Sequence, residues 1–162
     1  MTPYTTIYDK FFHRIEEDRE FFNHFQLPDA QVMEVAQQRA SAYMEEAVSR
    51  IMMECPQGSV FAQRTTTDPE GFVADLTPSE IYLVSSLMFE QYIERDIAYL
   101  KKLTVNYTSK ELTVFSPDNW RNSYNELFKT VRNENEGLMN LYKNKDRLTG
   151  AYLSVDFSSA NA

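Results

Sequence analysis

The chain has 162 residues, the length of one domain at about 100–200 residues per domain. Its 16 Lys+Arg stand against 24 Asp+Glu, a formal net charge of −8, and this acidity argues against a sequence-reading DNA binder with a basic face. Hydrophobic residues make up 43% and aromatics 14%, enough for a packed core and too many for an intrinsically disordered chain. Only 4 Gly and 6 Pro are present, too few for the closely spaced turns of an all-β domain, so the expected class is mainly α. The single cysteine, Cys55, excludes an internal disulfide framework and suits a reducing compartment. No apolar run approaches the roughly 18 residues of a membrane span, and the opening MTPYTTIYDK lacks the pattern of a signal peptide.

A first helix is expected near Thr6, where Thr6-Ile7-Tyr8-Asp9 fits a capping pattern. Ile7, Tyr8, Phe11, Phe12 and Ile15 recur every three or four positions and form one face. The acidic Glu16-Glu17-Asp18 interrupts it, and Asp18 can cap a short turn bearing Phe21, Phe22 and Phe25. A long helix should start at Pro28, suited to a first helical position, with Asp29 favourably placed at the positive helix start. Its expected stripe is Val32, Ala36, Ala40, Tyr43, Ala47, Val48, Ile51 and Met52, and Cys55-Pro56 ends it. Residues 59–76 read as a β-hairpin: two short apolar runs flank Thr67-Asp68-Pro69-Glu70-Gly71, spaced as a type I turn.

Thr77-Pro78-Ser79-Glu80 is the clearest helix start: Thr77 caps, Pro78 takes the first position, Glu80 closes the capping box, and Leu76 can staple onto Ile81. The helix through about Leu103 is apolar nearly all round over Ile81–Phe89, which places it at the centre. Residues 104–115 read as a loop. Ser116-Pro117-Asp118 opens a last helix with the stripe Trp120, Tyr124, Leu127, Phe128, Val131, Leu138 and Tyr142. Gly137 costs about 1 kcal/mol against Ala in a helix and marks a place for weakening or bending. The architecture expected is a small bundle of three to four main helices, residues 1–142, with a hairpin insertion and an extended C-terminal tail, 143–162. In that tail Leu153, Val155 and Phe157 alternate with polar residues at the period of a strand.

No phosphate loop, paired-cysteine zinc spacing or nucleophile elbow occurs. His13 and His24 flank acidic residues, but no His-x-x-x-His or Glu-x-x-His spacing gathers ligands on one face, so a solvated surface is preferred over a metal site. Cys55 lies beside Glu54, which raises rather than lowers a thiol pKa, so a structural cysteine is expected. Glu94-Arg95-Asp96 reads as a salt-bridged surface. No residue set supports a catalytic assignment, and no cofactor or metal is expected. Charge is unevenly spread: residues 1–60 hold 5 basic and 10 acidic, 61–116 hold 5 and 8, and 117–162 hold 6 and 6. Lys143, Lys145 and Arg147 thus lie in the least acidic segment. They read either as a docking or phosphate-contacting tail or as an ordinary helix end where cations suit the dipole.

Ile7-Tyr8-Asp9-Lys10-Phe11-Phe12-His13-Arg14-Ile15 and Tyr43-Met44-Glu45-Glu46-Ala47-Val48-Ser49-Arg50-Ile51 resemble small helical proteins of the head–tail junction of tailed bacteriophages. Asp75-Leu76-Thr77, Leu87-Met88-Phe89-Glu90-Gln91-Tyr92 and Thr108-Ser109-Lys110-Glu111-Leu112-Thr113-Val114-Phe115-Ser116 continue the likeness in the same order, over most of residues 5–142. The resemblance is to head–tail connector (adaptor) proteins, and its motifs are packing patterns rather than catalytic signatures. It implies a structural virion protein, not an enzyme, made in the host bacterial cytoplasm. Such a protein forms a ring, usually dodecameric, under the portal protein and offers a platform to the next neck or tail-completion protein. DNA would pass along the channel without specific binding, and an acidic wall would repel its phosphates. The tail would dock on the portal through Lys143, Lys145, Arg147, Leu148, Tyr152, Leu153, Val155 and Phe157. Phe11, Phe12, Phe21, Phe22, Phe61 and Phe72 are candidates for subunit contacts. The alternative is a small acidic helical regulator without enzymatic activity, which requires carboxylates spaced like phosphates along one face.

Overall fold

The computed structural model describes residues 1–15, 29–106 and 117–153, the side chains of 29–30, 100, 102–106 and 117–121 excepted. In chain order these form β1 (Thr2–Pro3), α1 (Tyr4–Ile15), α2 (Asp29–Glu54), a 3₁₀ turn (Pro56–Phe61), β2 (Arg64–Thr65), β3 (Gly71–Phe72), α3 (Pro78–Asn106) and α4 (Pro117–Asn144). The mainly helical bundle with a small β element agrees with the class expected from composition.

The central helix is α3. It packs against α1, α2 and α4, and every side chain from Leu83 to Met88 is buried. A helix surrounded by three others has no water-facing stripe over that stretch, which is why Ile81–Phe89 is apolar nearly all round. Its capping box forms as the sequence predicts. The Thr77 Oγ1 accepts from the Glu80 N–H at 3.3 Å, and Glu80 Oε2 accepts from the Thr77 N–H at 2.7 Å. The helix runs to Asn106, so 104–106 are helical rather than loop, and 107–116 lie outside the described residues.

The start of α1 is set by tertiary pairing and not by the Thr6–Asp9 capping pattern. β1 pairs antiparallel with β3, which also pairs antiparallel with β2, giving the strand order β1-β3-β2. The Tyr4 N–H then donates to the Glu70 carbonyl at 3.0 Å, so the helix begins two residues early. Gly71 makes this possible: a Cβ there would lie 2.4 Å from the Thr2 carbonyl oxygen, closer than any side chain tolerates. The hairpin is shorter than expected. Residues 59–61 belong to the 3₁₀ turn, and the Asp68–Pro69 peptide is cis, where a type I turn was expected.

Four phenylalanines expected at subunit contacts belong instead to the core of the chain. Phe11, Phe61 and Phe72 are fully buried, and Phe12 nearly so. The Phe61 ring meets Phe72 edge-on at 5.3 Å, and Phe72 meets Tyr4 at 5.1 Å. Short elements such as β2 and β3 cannot bury these rings alone, so they close against α1 and the 3₁₀ turn. Phe21 and Phe22 lie outside the described residues, as do the short turn with Phe25 and its Asp18 cap.

The stripes of α2 and α4 are shifted slightly from expectation. In α2, Met44 is buried and Met52 is exposed. In α4, Leu127 is exposed, while Met139 and the polar Asn135 are buried. The side chain of Trp120 is not described. Gly137 lies inside the continuous helix α4, exposed, with open space where a Cβ would stand. Gly137→Ala is therefore expected to raise the unfolding free energy by about 0.5–1 kcal/mol. A chemical denaturation midpoint that rises at unchanged slope would show it; no change or a fall would contradict it.

Residues 143–153 are not an extended tail. α4 includes Lys143 and Asn144, and the chain then folds back as a tight hairpin in which Lys145 bridges Tyr152. Residues 145–153 are thus held against the bundle by hydrogen bonds to Gln57, Asp75 and Glu80. Val155 and Phe157 lie outside the described residues.

Candidate functional site

The most highly bonded polar centre is Glu80, whose side chain is 0% exposed. Its position follows from the capping box, which holds the carboxylate back over the first turn of α3. Oε1 accepts from Tyr142 Oη at 2.8 Å and from Arg147 Nε at 2.8 Å. Oε2 accepts from Arg147 Nη2 at 3.0 Å, in addition to both Thr77 donors. The Arg147 Nη2 also reaches the Asp75 carbonyl at 2.9 Å. This two-point guanidinium–carboxylate geometry is the strong form of such a contact.

Electrostatics follow the geometry. Burial alone would raise the Glu80 carboxyl, but the Arg147 guanidinium, the Thr77 donors and the Tyr142 hydroxyl together hold it below the usual carboxylate range. Tyr142 moves the other way: burial and the bond to Glu80 push its hydroxyl well above the ordinary tyrosine value. The shared hydrogen therefore stays on tyrosine and the charge on glutamate.

Gln57 of the 3₁₀ turn joins this centre to the hairpin. Its Oε1 accepts from the Arg147 backbone N–H at 2.8 Å, and its Nε2 donates to the Tyr142 carbonyl at 3.2 Å and to the Lys145 carbonyl. The hairpin is also braced internally. Asp146 Oδ1 accepts from the Leu148 and Thr149 N–H groups at 3.1 and 2.8 Å, and Gly150 turns the chain at φ 69°. These two bonds, with the Thr149 hydroxyl, keep the Asp146 carboxyl below its ordinary range. Beside the hairpin lies a cleft of about 210 Å³, lined by Leu83, Leu138, Leu141, Tyr142, Lys145 and Arg147 among others.

Of the residues expected to dock, Arg147 is engaged inside the chain, and Lys143 is exposed on α4. The Lys145 ammonium sits 4.8 Å from the centre of the Tyr152 ring. Leu148, Tyr152 and Leu153 project outward, 74%, 71% and 50% exposed. The sequence pointed to Glu80 as a cap, but its partnership with Arg147, 67 residues away, had no local signal.

A second polar centre joins α2, α3 and α4. Arg50 Nη1 contacts both Glu90 oxygens at 3.1 and 3.2 Å, and Asn135 Nδ2 donates to Glu90 Oε2 at 2.7 Å and to the Ser86 carbonyl at 3.1 Å. Asn135 Oδ1 is buried with no hydrogen-bond partner. Elsewhere, Cys55 is buried, and burial together with Glu54 raises its thiol pKa, as its neighbourhood predicts for an unreactive cysteine. The Arg95–Asp96 ion pair, 2.6 Å, fits the surface expected at Glu94–Asp96. Among the described residues, which include His13 but not His24, no three His, Cys, Asp or Glu side chains cluster as metal ligands. Nor is any described helix long and apolar enough to cross a membrane.

Comparison with protein families, with curated proteins and with solved structures gives no match for this chain.

Proposed function

We propose that the chain is a head–tail connector of a tailed bacteriophage: a non-enzymatic structural subunit of the virion that assembles as a ring beneath the portal protein. In this reading it also carries the next neck protein, and DNA passes through the ring without being held. The observation that carries it is the hairpin at residues 145–153. It presents Leu148, Tyr152 and Leu153 to solvent on a mount fixed by Arg147, Glu80 and Gln57. Outward apolar side chains on a braced support are what a protein-docking element requires. The resemblance of its packing motifs, in their order, to those of connector proteins supports the same reading, as does the net charge of −8, which disfavours a tight grip on DNA.

Mixing the full chain with purified portal and imaging by electron microscopy tests the proposal. A ring of added density beneath the portal is the expected result. Absence of association with portal and neck components would overturn it in favour of an acidic regulator. Leu148→Ser with Leu153→Ser is expected to weaken assembly at least tenfold while leaving helical circular dichroism unchanged, since both side chains are exposed.

A further inference from the structure

The side chains that hold the 145–153 hairpin to the body differ in kind from those that hold the helices together. Its large apolar residues, Leu148, Tyr152 and Leu153, face away from the body. Its described attachments are polar: Arg147 to Glu80 and to the Asp75 carbonyl, and Gln57 to the backbone of Lys145 and Arg147. The Arg147 side chain is already 21% exposed, so the strap side of this contact passes to water when it is broken, whereas an apolar anchor would tie the hairpin to the cooperative core. Within itself the hairpin is closed by Asp146 N–H donating to the Ala151 carbonyl at 2.8 Å and Gly150 N–H to the Asp146 carbonyl at 2.9 Å, and Leu153 N–H ties its end to the Asn144 carbonyl at the last residue of α4, at 2.8 Å.

We infer that residues 145–153 form a releasable strap, latched to the body by Arg147 on Glu80 and by Gln57, with a latched and an unlatched state of the same folded protein. Lifting Arg147 lets water reach the Glu80 carboxylate, which keeps its Thr77 and Tyr142 donors and its place in the capping box. The helix start is thus preserved when the strap leaves. Unlatching also opens the cleft lined by Leu83, Leu138 and Leu141, one rim of which is Arg147 and Gly150. The strap's use in docking rests on the connector reading; its existence does not, and the test below involves the chain alone.

The test is native-state hydrogen exchange on the full chain, comparing wild type with Arg147→Gln. The amide of residue 147, which donates to the Gln57 side chain, is expected to exchange at least tenfold faster in the variant, and by a larger factor than amides within 83–97 and 40–51, which report the loss of global stability from the broken ion pair. An unchanged rate at residue 147 would overturn the inference, because the latch would then not be what holds the strap. So would equal acceleration at residue 147 and in both core helices, because the strap would then be part of the cooperative fold. Loss of portal assembly with these exchange results intact would count against the connector reading only.

Discussion

Phe61→Ala is expected to lower the unfolding free energy by about 3–5 kcal/mol, the usual range for emptying a fully buried aromatic site. The ring is fully buried and stands edge-on to Phe72, which in turn meets Tyr4. Phe61 and Phe72 together thus link the 3₁₀ turn, β3 and α1, and two-residue strands are too short to hold these elements by backbone pairing. At about 2–4 °C per kcal/mol for a chain of this size, the melting temperature should fall by about 6–20 °C. Denaturant titration at an unchanged slope would measure it. A loss under about 1 kcal/mol would show that the three-element contact contributes little.

Glu80→Ala is expected to lower the unfolding free energy by about 2–4 kcal/mol, through lost hydrogen bonds rather than volume. Arg147, 21% exposed, can turn to water, but the Tyr142 hydroxyl and the Thr77 N–H lose their acceptor and α3 loses its capping box. The pH dependence has a definite sign. Because the folded carboxyl is held below its unfolded value, its stabilisation is complete above the unfolded range of about 4.3. It is lost as the pH falls through the lower folded value. Glu80→Gln should be less stable than wild type near neutrality, and the gap should narrow in acid. A gap that stays constant from pH 7 to pH 3 would show that the Glu80 charge is not what Arg147 binds.

Both predictions concern features that differ in how far they can be read along the chain. The box Thr77-Pro78-Ser79-Glu80 names its own partners within one helical turn, so the start of α3 was legible to the residue. The central place of α3 was legible too, because a helix without a polar face over Ile81–Phe89 has nowhere else to go. The same reasoning failed for Phe11, Phe12, Phe61 and Phe72. Counting aromatics reveals how many rings there are, while whether they are covered depends on which elements close over them. The Thr6–Asp9 pattern failed for a related reason, since β1 pairing with β3 outweighs a local cap. Lys143, Lys145 and Arg147 read along the chain either as a docking tail or as an ordinary helix end. Arg147 instead turns inward, because a buried carboxylate 67 residues earlier offers it a stronger partner than water.

Sequence alone thus determined the class of the protein: one mainly helical chain, acidic, with a central apolar helix that opens on a capping box. Those properties are local or additive, fixed by composition, periodicity and contacts within a turn. Only the tertiary structure decided which aromatics are core and where α1 begins. It also showed Glu80 to be both a helix cap and the anchor of the C-terminal hairpin. Each of these depends on groups far apart in the chain meeting at hydrogen-bond or van der Waals distance, and no local pattern encodes such a meeting.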